Sequence, residues 1–121
     1  METLYQRVGK ERLLALVNHF YDRVFVSEKI GPLFINSDKE LVKRKQFLFL
    51  SKFLGGPDVY SQEFGHPRMR MRHLPHPIDE SAMVEWLRCM KEAIWQLDMD
   101  EELKMDLYAC FPKVAAHMVN R

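Results

Sequence analysis

Cysteine is scarce in this chain: its 121 residues contain two, Cys89 and Cys110. They lie on separate apolar stretches and form no CxxC pair, no zinc spacing and no CxxCH attachment site. This excludes a disulfide framework and a cofactor tethered through such a motif. Long apolar runs are also missing. None is longer than Leu13 to Val17, which falls far short of the roughly 20 residues a bilayer requires. Neither sign of charge dominates, since 18 Lys and Arg oppose 17 Asp and Glu for a net charge of +1. No broad field is therefore expected for nucleic acid or an anionic membrane. Met1-Glu2-Thr3 leads straight into a mixed segment with no hydrophobic signal region, and the lone cysteines suit a reducing compartment, so a cytoplasmic location is expected.

Strand-type alternation and internal repeats are absent as well. What the chain does have is a 47% apolar fraction arranged almost throughout at helical period. From Glu11 to about Glu28, residues Leu13, Leu14, Val17, Phe20, Tyr21, Val24 and Phe25 read as one apolar stripe, interrupted by Gly31-Pro32. Asp38 can cap a second helix that carries Leu41, Val42, Lys45, Gln46, Phe49, Leu50 and Phe53 inward and stops at Gly55-Gly56-Pro57. Residues 57–66 read as loop with at most one helical turn. Pro67 suits a first helical position and Pro75 disfavours helix at Leu74, which predicts a short helix over 67–73. Asp79 caps the next helix, with Ile78 and Met83 spaced as a hydrophobic staple and Ala82, Met83, Trp86, Cys89, Met90, Ala93 and Leu97 along it. Asp98 and Glu101 have capping-box spacing for a last helix toward Asn120, which Pro112 should kink or split. The expectation is an all-α fold forming a single domain over 1–121.

Polar side chains intrude on three of these apolar faces. Tyr21 shares a stripe with Leu14, Val17 and Phe25; Gln46 sits with Val42, Phe49 and Leu50; Trp86 sits with Ala82, Met83 and Met90. The plain account of Tyr21 and Trp86 is an amphipathic core residue whose polar tip reaches backbone or water. Glutamine is rarely buried outright, so Gln46 is harder to explain that way. The alternative is that the three donors converge on something bound in the core, for instance a diatomic ligand on iron.

Among five histidines, His73 stands out in Arg70-Met71-Arg72-His73-Leu74-Pro75. The run places an imidazole between guanidinium groups and a helix-stopping proline. A neutral imidazole is a good axial ligand for iron, and fixed positive charge suits a group bearing carboxylates; heme offers both. A zinc site from His66, His73 and His76 would need a fourth ligand, and Glu63 and Asp79 complete no recognised spacing with them. His19, two residues before Tyr21, should turn away from the stripe into solvent.

Order and spacing carry the reading further. Phe20-Tyr21-Asp22-Arg23-Val24, Pro32-Leu33-Phe34, Phe53-Leu54-Gly55-Gly56-Pro57, Tyr60, Gly65-His66-Pro67-Arg68, Met69 to Pro75 and Trp86-Leu87-Arg88-Cys89-Met90 occur in one succession. From about Leu4 to Asn120, the chain resembles the truncated hemoglobins of group II, short globins with a two-over-two helical sandwich around a b-type heme. The resemblance implies that His73 is the proximal iron ligand and that Tyr21, Gln46 and Trp86 are the distal donors to an iron-bound ligand. It implies that Phe34 packs on the heme face and that Val42 holds the distal-gate position. Arg72 and Lys45 fall on propionate partners, with Tyr60 a further candidate. Leu50, Phe53, Met69, Leu74, Ile78 and Met90 fall on the hydrophobic walls. Three positions depart from the family pattern. His76 stands where phenylalanine is common. Lys10 follows Gly9 where a second glycine is frequent, so a looser first turn is expected. Val42 is bulkier than the usual small residue.

The function implied is binding of O2, CO or NO at a five-coordinate heme iron, with tight oxygen binding and a capacity for peroxidase-like or NO dioxygenase-like turnover that would draw on peroxide and a reductase. A monomer or weak homodimer is expected, with no nucleic-acid or membrane partner. Two other readings predict different behaviour. A heme-free helical sensor or partner-binding module on the same fold would purify colourless. A nucleic-acid binder using Arg68, Arg70 and Arg72 as a phosphate stripe would show salt-dependent retention.

Overall fold

A computed structural model describes residues 2–65 and 78–119. Within them the secondary structure is entirely helical. In chain order the elements are α1 (Leu4–Val8), α2 (Lys10–Val24), a 3-10 turn (Gly31–Phe34), α3 (Lys39–Phe53), α4 (Val59–Phe64), α5 (Glu80–Trp95), α6 (Glu101–Tyr108) and α7 (Phe111–His117). No helix among the described residues is long and apolar enough to cross a membrane.

The helix starts follow from local chemistry. Thr3 accepts from Gln6 N and completes a capping box with the Gln6 side chain. Asp38, Asp58, Asp79 and Asp100 each accept a hydrogen bond from the backbone N–H three residues on, satisfying a donor that the first helical turn leaves unpaired. Two boundaries differ from expectation here. The last stretch begins at Glu101 under Asp100, not under Asp98, because a tight turn that closes with Met99 N–H on Leu97 O occupies the preceding residues. Residues 59–64 form a full short helix, since Asp58 supplies a cap that the loop reading overlooked.

Helix α2 stops at Val24, earlier than its apolar pattern suggests. The hydroxyl of Ser27 accepts from Lys29 N and Ile30 N, replacing the helical ladder with a turn. Its buried stripe is Leu13, Leu16, Val17, Phe20, Tyr21 and Val24. Leu14 is 42% exposed. It lies on the same side as Tyr21, two turns earlier, but only Tyr21 is covered, by the Phe34 ring at 6.0 Å. His19 is half-buried rather than solvated. A single residue, Gly9 at φ +88°, joins α1 to α2, so the junction is tight even with Lys10 following.

Two helix pairs organise the chain. Helix α2 packs on α3, α5 packs on α7, and contact between α2 and α5 joins the pairs. Leu13, Leu16 and Phe20 from α2 meet Cys89, Met90, Ala93 and Ile94 from α5 in one buried core that Leu103, Leu107 and Phe111 extend. Pro112 sits in the first turn of α7, where its missing N–H costs nothing, and the last stretch is split there as expected. The Gly55-Gly56 pair has two distinct jobs. Gly55 takes φ +96° to end α3. A side chain at Gly56 would lie 2.6 Å from Tyr5 Cγ, so α1 closes directly over the bare backbone.

Candidate functional site

A cavity of about 450 Å³ opens between the helix pairs, within the range of roughly 300–1,000 Å³ typical of small-molecule sites. Its walls are mainly apolar: Ile30, Leu33 and Phe34 from the segment after α2, Val42, Phe49, Leu50 and Phe53 from α3, Ile78, Ala82 and Met83 around the start of α5, and Phe111, Val114, Ala115 and Met118 around α7. Among the described residues, five polar side chains share it: Tyr21, Lys45, Gln46, Tyr60 and Trp86.

Tyr21, Gln46 and Trp86 reach the cavity from three helices, α2, α3 and α5. Among the described residues, none of the three side chains has a hydrogen-bond partner, yet no side-chain nitrogen or oxygen is both sealed off and unsatisfied. All three side chains line the cavity, and their polar atoms remain free to bond something held in it. Burial pushes the Tyr21 phenol well above its usual range, because the ionised form would lose its hydration there. Tyr21 is thus held as a neutral O–H donor at any physiological pH.

Ring contacts hold two of these donors, Tyr21 and Trp86. Phe20, fully buried, meets Tyr21 edge-on at 4.9 Å and Trp86 edge-on at 5.2 Å. Phe34 braces Tyr21 from the other side, and Phe111 lies 5.9 Å from Trp86. Such pairs contribute about 0.5–1.5 kcal/mol beyond area burial and restrict ring orientation. On the opposite edge the Lys45 ammonium sits 5.1 Å from the Phe64 ring centroid, and Tyr60 is packed between Phe49 and Phe64.

The residues expected from sequence therefore separate into three groups. Tyr21, Phe34, Val42, Lys45, Gln46, Leu50, Phe53, Tyr60, Ile78 and Trp86 share the cavity. Met90 does not; one turn beyond Trp86 on the same face of α5, it is completely buried in the core cluster. Met69, Arg72, His73 and Leu74 lie outside the described residues, as do His66 and His76 of the zinc reading, the 67–73 helix and the Arg68 and Arg70 stripe. Among the described residues no cluster of His, Cys, Asp or Glu could hold a metal ion.

Sequence reasoning put Phe49, Ala82 and Met83 on inner helix faces without assigning them to the wall. It missed Ile30 and Leu33, which follow the Ser27 turn, and Phe111, Val114, Ala115 and Met118, which depend on the direction α7 takes. It also missed an ionic chain beside the site. Glu85 accepts from Ser27 Oγ at 2.6 Å and from Arg88 through both carboxylate oxygens at 2.6 and 2.9 Å. Arg88 continues to Glu92, which Arg23 of α2 approaches at 3.5 Å. These hydrogen bonds, Arg88 first and Ser27 second, hold the Glu85 carboxyl down at about 2.

Comparison with known proteins agrees with this architecture. Residues 3–120 match the family model for bacterial-like globins. The group 2 truncated hemoglobin YjbI of Bacillus subtilis is 41% identical over 117 residues, covering 97% of this chain and 88% of that protein. The solved structure of a truncated oxygen-avid haemoglobin from Bacillus subtilis superposes with a TM-score of 0.91 at 40% identity, over 98% of this chain and all of that one. The hemoglobin of the thermophilic phototroph Chloroflexus aurantiacus superposes with a TM-score of 0.93 at 35% identity, over the full length of both chains. The chain therefore belongs to the bacterial-like globins, among the group II truncated hemoglobins.

Proposed function

We propose that the cavity holds heme b and that the protein binds O2, and also CO or NO, tightly at the heme iron. The observation that carries this is the convergence on one apolar cavity of Tyr21, Gln46 and Trp86, three donors without a hydrogen-bond partner among the described residues. The residues present fit the group. Phe34, Phe49, Leu50 and Phe53 offer apolar and aromatic surface for a flat macrocycle, and Lys45 offers a cation for its carboxylates. His73 is the proximal ligand in this reading, and Arg72 a second propionate partner. Met69 and Leu74 complete the wall, while Met90 supports it from behind.

Heme, when bound there, would supply an iron that takes up a diatomic ligand. This chain's residues then determine how long the ligand stays. The Tyr21 hydroxyl, the Gln46 amide and the Trp86 indole would be the hydrogen-bond donors available to it. At about 1–1.5 kcal/mol each, one good bond slows release roughly tenfold and two approach a hundredfold. Retention of that strength suits capture or redox chemistry on the ligand better than delivery. Tyr21 and Trp86 are themselves oxidisable, which supports peroxidase-like turnover, and sustained turnover would need a reductase. The free thiols Cys89 and Cys110 support a reducing, cytoplasmic setting, and a family match over residues 3–120 supports one globin domain across the chain.

Ultraviolet–visible spectra of the purified protein, oxidised, reduced and with CO, test this directly. The expected result is a heme chromophore whose ferrous form is five-coordinate and takes up CO. A colourless protein of full helicity that takes up no added hemin would overturn it in favour of a heme-free helical module.

A further inference from the structure

The segment after α2 is fastened to α5 at a point next to Trp86. Ser27, buried after the end of α2, donates its Oγ–H to Glu85 Oε2 at 2.6 Å across 58 residues of sequence. Ser27 Oγ itself accepts from Lys29 N at 3.2 Å and Ile30 N at 3.3 Å. One hydroxyl thereby sets the turn that leads into Ile30, Leu33 and Phe34, the cavity wall that braces Tyr21. Its acceptor, Glu85, is the residue immediately before Trp86 and is immobilised by the Arg88 fork. A weaker contact, Lys29 Nζ to Asp79 at 3.9 Å, ties the same segment to the start of α5.

We propose that Ser27 and Glu85 are positioning residues for the ligand-binding donors, with the Ser27–Glu85 hydrogen bond setting the distance between the Tyr21 wall and the Trp86 helix. Neither side chain lines the cavity. They act through Phe34 on one side and through the α5 backbone on the other. Hydrogen bonds weaken steeply with misdirection, so a small shift of either wall degrades the grip on a diatomic ligand without removing a donor. This role rests on the heme reading of the cavity.

The test uses the heme-loaded ferrous protein with CO. Ser27→Ala removes the hydroxyl and leaves Glu85 with Arg88; Ser27→Thr keeps a hydroxyl and serves as the rescue. The chain's two tryptophans give two indole N–H resonances in a proton–nitrogen correlation spectrum, with Trp95 as the internal control. In Ser27→Ala the Trp86 resonance shifts or splits, the Trp95 resonance stays, and the C–O stretching band broadens. O2 release rises by about threefold to fivefold, the loss of part of one hydrogen bond. Ser27→Thr restores all three. A Ser27→Ala protein with a lowered melting temperature but an unmoved Trp86 resonance and C–O band would overturn the proposal, leaving Ser27 a turn residue only. A parent protein that takes up no heme would fail the underlying reading instead, and that failure appears in the visible spectrum before any variant is compared.

Discussion

The α2–α5 crossing and the α3–α7 side use similar apolar side chains to opposite effect. At the crossing, Leu13, Leu16, Cys89, Met90, Ala93 and Ile94 are completely buried against one another. Across the cavity, Phe49 and Val114 are half-buried, and Phe53 is 39% exposed. Interiors normally close to the density of an organic crystal. A wall of aromatic and aliphatic side chains that stops short of its neighbours therefore marks a place the chain leaves for something else. The polar groups sort accordingly: the crossing presents none unpaired, whereas the cavity receives three donors with no protein partner among the described residues.

Substitutions should break this contrast in graded fashion. The largest effect is expected from His73→Ala, which removes the proposed iron ligand. The ferrous spectrum should lose its five-coordinate histidine-ligated form, and an unchanged spectrum would move the ligand elsewhere. Next, Leu16→Ala opens a void in the closed crossing and should cost about 2–5 kcal/mol in urea unfolding. Phe53→Ala, on the open side, should cost much less stability but release bound heme faster to an apoglobin acceptor. If both variants lose stability equally, the open side is ordinary core. Trp86→Phe keeps most of the ring and removes its donor. O2 release measured by stopped flow should quicken about tenfold, the value of one lost hydrogen bond. The smallest effect is expected at acid pH. Glu85 ionises at about 2 in the folded protein against an ordinary 4.5, so its contribution is complete above about 4.5 and is lost as pH falls toward 2. Glu85→Gln should therefore flatten the fall in stability between those values while lowering stability near neutrality.

Much of the scaffold was legible from single residues. Asp38 and Asp79 announce helix starts because a carboxylate one residue ahead of an apolar stripe has a defined local partner. Pro112 announces a break because its missing N–H cannot be repaired mid-helix. Local chemistry also set the limits. Asp98 and Asp100 are both plausible caps by pattern, and only the turn at Leu97–Met99 selects the second. Leu14 and Leu16 are equally apolar, and only the cover supplied over α2 decides which is buried. For the site, Tyr21, Gln46 and Trp86 were conspicuous one by one as polar groups on apolar faces. Their convergence stood as one of two readings until the family resemblance favoured it, since periodicity places a side chain on a face but does not say which faces meet. The Ser27–Glu85 bond was invisible for the same reason: a serine in a turn and a glutamate on a helix are each unremarkable until the fold joins them.

Phe20 touches both Tyr21 and Trp86, and this makes the two donors thermodynamically dependent. Removing one ring frees Phe20 to relax toward the gap, which alters the support under the other. The losses from substituting Tyr21 and Trp86 will then fail to multiply, with a coupling energy of the order measured for residues that share a partner. Each position's contribution to ligand retention is consequently a property of the aromatic trio. Transferring a single distal residue from one globin to another will not transfer its effect unless the buttress behind it is carried along.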